Sequence, residues 1–201
     1  MPIDDSRLDR TEVAERWGID LAALEQSGDL ERMRNYGKSR LIDCNPEIGG
    51  IRVPMQARLS LRENPDGTVS LVPHPIRRAP NYDEYLNVRF TPEDQENLKK
   101  TGNLGRVVEV VDPATGELLP SFVSIDRITN ETVSVPVREI NIPREVLGVA
   151  LDDKQQAALA RGEGVYVEGM TSKNNGKVFD ATIQINADRR GLDFHFGERK
   201  Q

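Results

Sequence analysis

The sequence predicts an α+β protein: short N-terminal helices, a β-hairpin, then two copies of a helix-plus-three-strand antiparallel unit. Three observations predict it. Helix-capping residues crowd the first 48 positions, the hydrophobic period shifts to two from Gly49 onward, and the pattern that starts at Phe90 returns at Leu151. The expected division is an N-terminal helical and β-hairpin domain at 1–85 and a duplicated αβββ domain at 86–201, with repeat units at 86–135 and 147–196.

Each element has a local reason. Thr11 can cap a helix that runs to Trp17 and ends at Gly18, Asp20 can cap a second that stops near Ser27-Gly28, and Asp29 a third carrying Leu30 and Met33. Helices this short are marginal in water and must pack on something. In GGIRVPMQARLSL, Ile51, Val53, Met55, Ala57, Leu59 and Leu61 share one face and Arg52, Gln56, Arg58, Ser60 and Arg62 the other. That alternation predicts one half-buried strand with a basic outer face. Asn64-Pro65-Asp66-Gly67 suits a tight turn into the strand TVSLV. The stretch from Pro73 to Pro80, with His74 and Arg77-Arg78, reads as an extended connector.

In the repeat, FTPEDQENLKKTG lines up with LDDKQQAALARG, so that Gln95 matches Gln156, Leu98 matches Leu159 and Gly102 matches Gly162. An apolar strand follows each glycine, RVVEVV or VYVEGM, then a turn, FVSID or TIQIN, a polar turn, and TVSV or LDFHF. One such unit is too small to bury its own sheet face, so the two copies must pack together or share a sheet. Prolines 136 and 143 predict extended or edge-strand structure rather than helix where the copies join.

The 201 residues carry 27 Lys and Arg against 33 Asp and Glu, a formal charge of -6. This rules against coating nucleic acid by bulk electrostatics, because that binding comes from neutralising phosphates with Lys and Arg. Residues 1–79 hold 12 bases and 13 acids, while residues 80–201 hold 15 and 20, so a local basic face remains open to the first part. No apolar run reaches the roughly 18 residues of a membrane helix, and the acidic start is unlike an export leader. A cytoplasmic location is expected, and Cys44, the lone cysteine, suits a reducing compartment.

Chemistry-bearing patterns are sparse. Cys44, His74 and His195 lie far apart and predict no metal site, and no cofactor motif is present. His195 alternates with Phe194 and Phe196 and is expected on a solvent face. Gly37-Lys38-Ser39 lacks the upstream glycine of a phosphate loop, and no nucleophile elbow occurs. Glu109 and Glu168 occupy matched strand positions, where alternation turns them to water unless they share a cleft as an acid and base. Val13-Ala14, Gly18, Ile19 and Leu24 fit helix-turn-helix spacing, but the second helix, DLAALEQSG, has acids and no bases. No catalytic residue is predicted. The candidate binding residues are Arg52, Arg58, Arg62, Arg77 and Arg78 in the first part and Lys173, Asn186, Arg189 and Arg190 in the second repeat. Solvated strand faces and ordinary hairpin turns explain the same residues.

The second repeat, with VEGMTSK and FDATIQINADRRG, closely resembles a domain of unknown function found in proteins of Bacteroidetes conjugative and mobile elements. GRVVEVVDPATGELLPSFVSID and INIPREVLGV resemble the preceding part of that domain. LEQSGDLERM, ARLSLRENPDG and HPIRR resemble a second uncharacterised domain that commonly precedes it. The resemblance implies a mobile-element setting near DNA-processing or antirestriction functions. The expected role is a non-enzymatic accessory or adaptor protein that binds a protein partner involved in DNA processing or defence. The alternative is direct nucleic-acid binding through the arginine-rich strand face.

Overall fold

The computed structural model describes residues 1–197. The structure is α+β, with helices and antiparallel strands in small sheets. It forms two compact units, residues 1–79 with 127–131, and residues 80–126 with 132 onward.

The first unit begins with α1 (Arg10–Trp17), α2 (Leu21–Gln26) and α3 (Asp29–Arg34). Asp9, not Thr11, caps α1: its carboxylate accepts the N–H groups of Thr11 and Glu12, where a negative charge also complements the helix dipole. Asp20 caps α2 by accepting the Ala22 N–H. Asp29 does not cap α3. Gly28 holds that position in the left-handed region, and the Asp29 carboxylate is buried, accepting the Arg40 N–H at 3.0 Å and the Arg40 guanidinium at 3.1 Å.

The strands are β1 (Ile42–Cys44), the short hairpin β2 (Glu47–Ile48) and β3 (Ile51–Arg52), then β4 (Met55–Glu63) and β5 (Val69–Pro75). The single strand expected from residue 51 to 62 is therefore two. Gly49 and Gly50, both at positive φ, turn the chain so that Ile51 pairs with Ile48, and Pro54 interrupts pairing before β4 begins. Ile51 and Val53 are exposed as a result, while Ala57, Leu59 and Leu61 enter the core with Leu30, Met33 and Val13. The sheet runs β1-β4-β5. The expected connector at Pro73–Pro80 is in its first part strand: Pro73, His74 and Pro75 extend β5, opposite Leu59, Arg58 and Ala57. Pro is accommodated because β4 lies on only one side of β5 in this sheet.

The second unit contains the hairpin β6 (Glu84–Tyr85) and β7 (Val88–Arg89), α4 (Pro92–Thr101), then β8 (Val108–Val111), β9 (Leu118–Asp126) and β10 (Glu131–Pro136), whose first residue belongs to the first unit. The same order follows again: the hairpin β11 (Glu145–Val146) and β12 (Val149–Ala150), α5 (Asp153–Ala160), then β13 (Val165–Thr171), β14 (Val178–Asn186) and β15 (Gly191–His195). A capping box starts each helix, Thr91 with Asp94 and Asp152 with Gln155. Each sheet is a three-stranded antiparallel meander, and the two do not join. They pack instead through Phe122, Val135, Ile185 and Ala187. Beside this patch Asn103, Ser124, Gln184, Asn186 and Asp193 form a buried network, with the Asn186 amide donating to Asp193 at 2.7 Å and to Asn103 at 3.0 Å.

Candidate functional site

The first unit assembles a polar cluster on the outer face of β4 and β5. Period two puts Ser60 on that face, since Leu59 and Leu61 fill the core on the other. His74 stands on the adjacent strand, two residues along from the partner of Ser60. The turn at 127–131 lies over the end of β5, with the Arg77 N–H donating to the Thr129 carbonyl at 2.8 Å and the Asn130 side chain to the Arg77 carbonyl. That places Glu131 beside His74. Ser60 Oγ lies 2.8 Å from His74 Nε2, and His74 Nδ1 lies 2.7 Å from Glu131 Oε2. Lys38 Nζ donates to the same oxygen at 3.0 Å, and the Arg77 guanidinium is 3.5 Å from Oε1.

The His74 and Glu131 side chains are 13% and 18% exposed, so water screens these contacts poorly. Burial alone would raise the Glu131 carboxyl, but the hydrogen bond from His74 and the charge of Lys38 outweigh it and hold the group down to about 2. The carboxylate is ionised at neutral pH and can only accept. In the neutral imidazole the Nδ1 proton then points to Glu131, and the Nε2 lone pair faces the Ser60 hydroxyl. Neither the prolines around His74 nor any local motif signalled this arrangement, because its members come from four separate stretches of chain.

The arginines predicted to line one strand face do not form one row. Arg52 sits on β3, donates to the carbonyls of Asn45 and Glu15, and lies 3.6 Å from Glu47. Arg58 is half-buried on β4 and donates to the Ser39 carbonyl at 2.8 Å. Arg62 is exposed farther along β4, beside a small cleft that it shares with Arg16, Trp17 and Glu12. Arg77 and Arg78 are exposed, with Arg77 drawn to Glu131. In the second repeat Lys173 is exposed in its turn, Arg189 pairs with Asp193 at 3.1 Å, and Arg190 pairs with Glu139 at 2.8 Å. Asn186, expected on a recognition surface, is only 6% exposed and belongs to the buried network. Polar character in TIQIN comes from packing between the two repeats, which sequence alternation alone does not separate from a wet surface.

Glu109 and Glu168 are both exposed, on different sheets. His195 is half-buried rather than on an open face. Burial pushes the Cys44 thiol up, away from a reactive thiolate. Among the described residues no group of three or more His, Cys, Asp and Glu is placed to hold a metal ion, and no helix is long and apolar enough to cross a membrane.

A second feature is apolar. The hairpin of β2 and β3 carries Ile48 and Ile51 side by side, 59% and 68% exposed. The chain continues through exposed Val53 into a groove of about 640 Å³ lined by Cys44, Pro54, Met55, Pro75 and Ile76, with Asp43 and Gln56 at its polar side. The Gln56 amide donates to Asp43 at 2.9 Å, so these two polar groups satisfy each other.

Comparison with known proteins finds two domains in tandem. A family described as Protein of unknown function (DUF4099) matches residues 3–85, and one described as Protein of unknown function (DUF3945) matches residues 143–197. The first match spans the N-terminal helices and the β1-β4-β5 sheet, and the second spans the second repeat from its hairpin to β15. No curated protein and no solved structure matches the chain.

Proposed function

We propose that this chain is an accessory or adaptor protein of a mobile genetic element, working in the cytoplasm by binding a protein partner engaged in DNA processing or defence. The exposed Ile48–Ile51 pair carries the reading. Two large side chains held in water on a tight hairpin, continuous in the chain with an apolar groove, are the kind of surface that partner proteins cover. Burying what the two still expose contributes about 2–4 kcal/mol before the costs of association. The mobile-element setting rests on the wording of VEGMTSK and FDATIQINADRRG and of the N-terminal segment.

Direct nucleic-acid binding has less support. Arg52, Arg58, Arg77, Arg189 and Arg190 are each engaged with a neighbouring carbonyl or carboxylate, so their cations do not converge on one open patch. A photoreactive amino acid placed at position 51, in cells carrying the element, tests the docking reading. A discrete protein adduct that is missing when the same group sits at position 109 supports it. Equal adduct patterns from both positions remove it.

A further inference from the structure

We propose that Ser60 is an activated nucleophile, with His74 as its base and Glu131 as a positioning residue, and that it takes the acyl group of a small ester. Each contact has the order that the chemistry requires. Ser60 Oγ is 2.8 Å from Nε2, and Nδ1 is 2.7 Å from a carboxylate oxygen, the relation in which an imidazole removes a hydroxyl proton while the carboxylate fixes its tautomer. Ser60 is half-buried, and its neighbours Leu59 and Leu61 lock the strand that carries it. The turn at 127–131 is held by Glu131 with His74 and Lys38 and by the Arg77–Thr129 and Asn130–Arg77 hydrogen bonds, while Ser60 is the group that the far nitrogen of the imidazole meets.

In the first step Ser60 Oγ bonds to the carbonyl carbon, the carbonyl π pair moves to oxygen, and the hydroxyl proton passes to Nε2. The tetrahedral adduct then re-forms its carbonyl, the bond to the leaving alcohol oxygen breaks, and Nε2 returns the proton to that oxygen. Water repeats the sequence on the acyl-serine: its oxygen adds to the acyl carbon, its proton passes through Nε2 to Ser60, and the carboxylic acid departs. One ester and one water become one acid and one alcohol. Lys38 and Arg77 share the Glu131 carboxylate, which therefore stabilises an imidazolium less than an undivided carboxylate would, so the expected turnover is slow and a covalent adduct is the better readout.

The test is a fluorophosphonate probe with the intact chain, read by whole-protein mass and peptide mapping. Attack by Ser60 expels fluoride and leaves one phosphonyl group on its oxygen. The expected result is a single adduct at Ser60, lost in Ser60→Ala and formed roughly 100-fold more slowly in His74→Gln, in keeping with the usual contribution of a general base. Glu131→Gln should slow labelling and move its pH profile, which a merely structural contact would leave in place. The parent protein alone decides the matter: no adduct at Ser60, or labelling equal to that of urea-unfolded protein, overturns the inference. Partner adducts from position 51 are a separate readout, so this failure leaves the docking proposal standing, and the reverse holds too.

Discussion

Replacing Glu131 by glutamine removes a negative charge that three cationic or hydrogen-bonding side chains were arranged to receive. Lys38 and His74 contact one carboxylate oxygen, at 3.0 Å and 2.7 Å, and Arg77 approaches the other at 3.5 Å. The native carboxyl is held at about 2 against an ordinary value of 4.5. At about 1.4 kcal/mol per pH unit, that gap corresponds to about 3 kcal/mol of stability at neutral pH. The native value is depressed, so this stability is complete above pH 4.5 and is lost as pH falls from there toward 2. Glutamine keeps the shape and some hydrogen bonding but removes the negative charge that Lys38 Nζ meets at 3.0 Å. Loss of the whole ~3 kcal/mol should lower the thermal midpoint at pH 7 by roughly 12–24 °C, since ~1 kcal/mol moves a domain of this unit's size by roughly 4–8 °C. The variant should also lose the part of the parent's destabilisation between pH 4.5 and 3 that Glu131 supplies. A midpoint within about 2 °C of the parent, together with an unchanged acid limb, would refute the electrostatic argument.

Two further perturbations test the second unit. Asp94 is buried, closes the α4 capping box with Thr91, and accepts the Arg106 guanidinium twice at 2.8 Å. Although burial opposes ionisation there, the Arg106 and Thr91 hydrogen bonds hold its carboxyl below the usual range. Asp94→Asn should cost about 2–4 kcal/mol in chemical unfolding at pH 7, with a smaller deficit in acid where the parent is also protonated. Gly162→Ala should cost about 1–3 kcal/mol, because the residue sits at φ +87 and a Cβ there would meet the Arg106 backbone at 3.1 Å. Gly28→Ala, also at positive φ but with nothing within 4 Å, should lose less, and equal losses would contradict the packing argument.

Much of the architecture could be read in the residues, and the exceptions have physical causes. Period-two alternation identified β4, and the pattern shared by Phe90 and Leu151 pointed to helices at Pro92–Thr101 and Asp153–Ala160. Alternation could not say that Pro54 and two glycines would cut Ile51–Arg52 away into a hairpin, since Ile51 and Val53 continue the apolar phase unbroken. Asp29 satisfied every local rule for a cap, yet a tertiary partner, Arg40, claimed it and drew it into the core. The tiny hairpins before α4 and α5 are two residues a strand, below the length at which periodicity carries a signal. The Ser60, His74 and Glu131 cluster was invisible for a related reason. Its contacts span 14 and 57 residues of sequence, and only the fold of the 127–131 turn onto β5 brings them together.

The docking claim meets its most direct test in an affinity isolation from cells carrying the element, run in parallel with the parent chain, an Ile48→Asp/Ile51→Asp double variant, and an Arg52→Ala/Arg58→Ala/Arg62→Ala triple variant. Both isoleucines are exposed, so the double variant loses no core packing, and the two facing aspartates should cost about 1–2 kcal/mol in chemical unfolding. The parent and the triple variant should both recover a partner that the double variant loses, with at least a tenfold weaker Kd once that partner is purified. Recovery undiminished by the aspartates, or lost only when the arginines are removed, would contradict it.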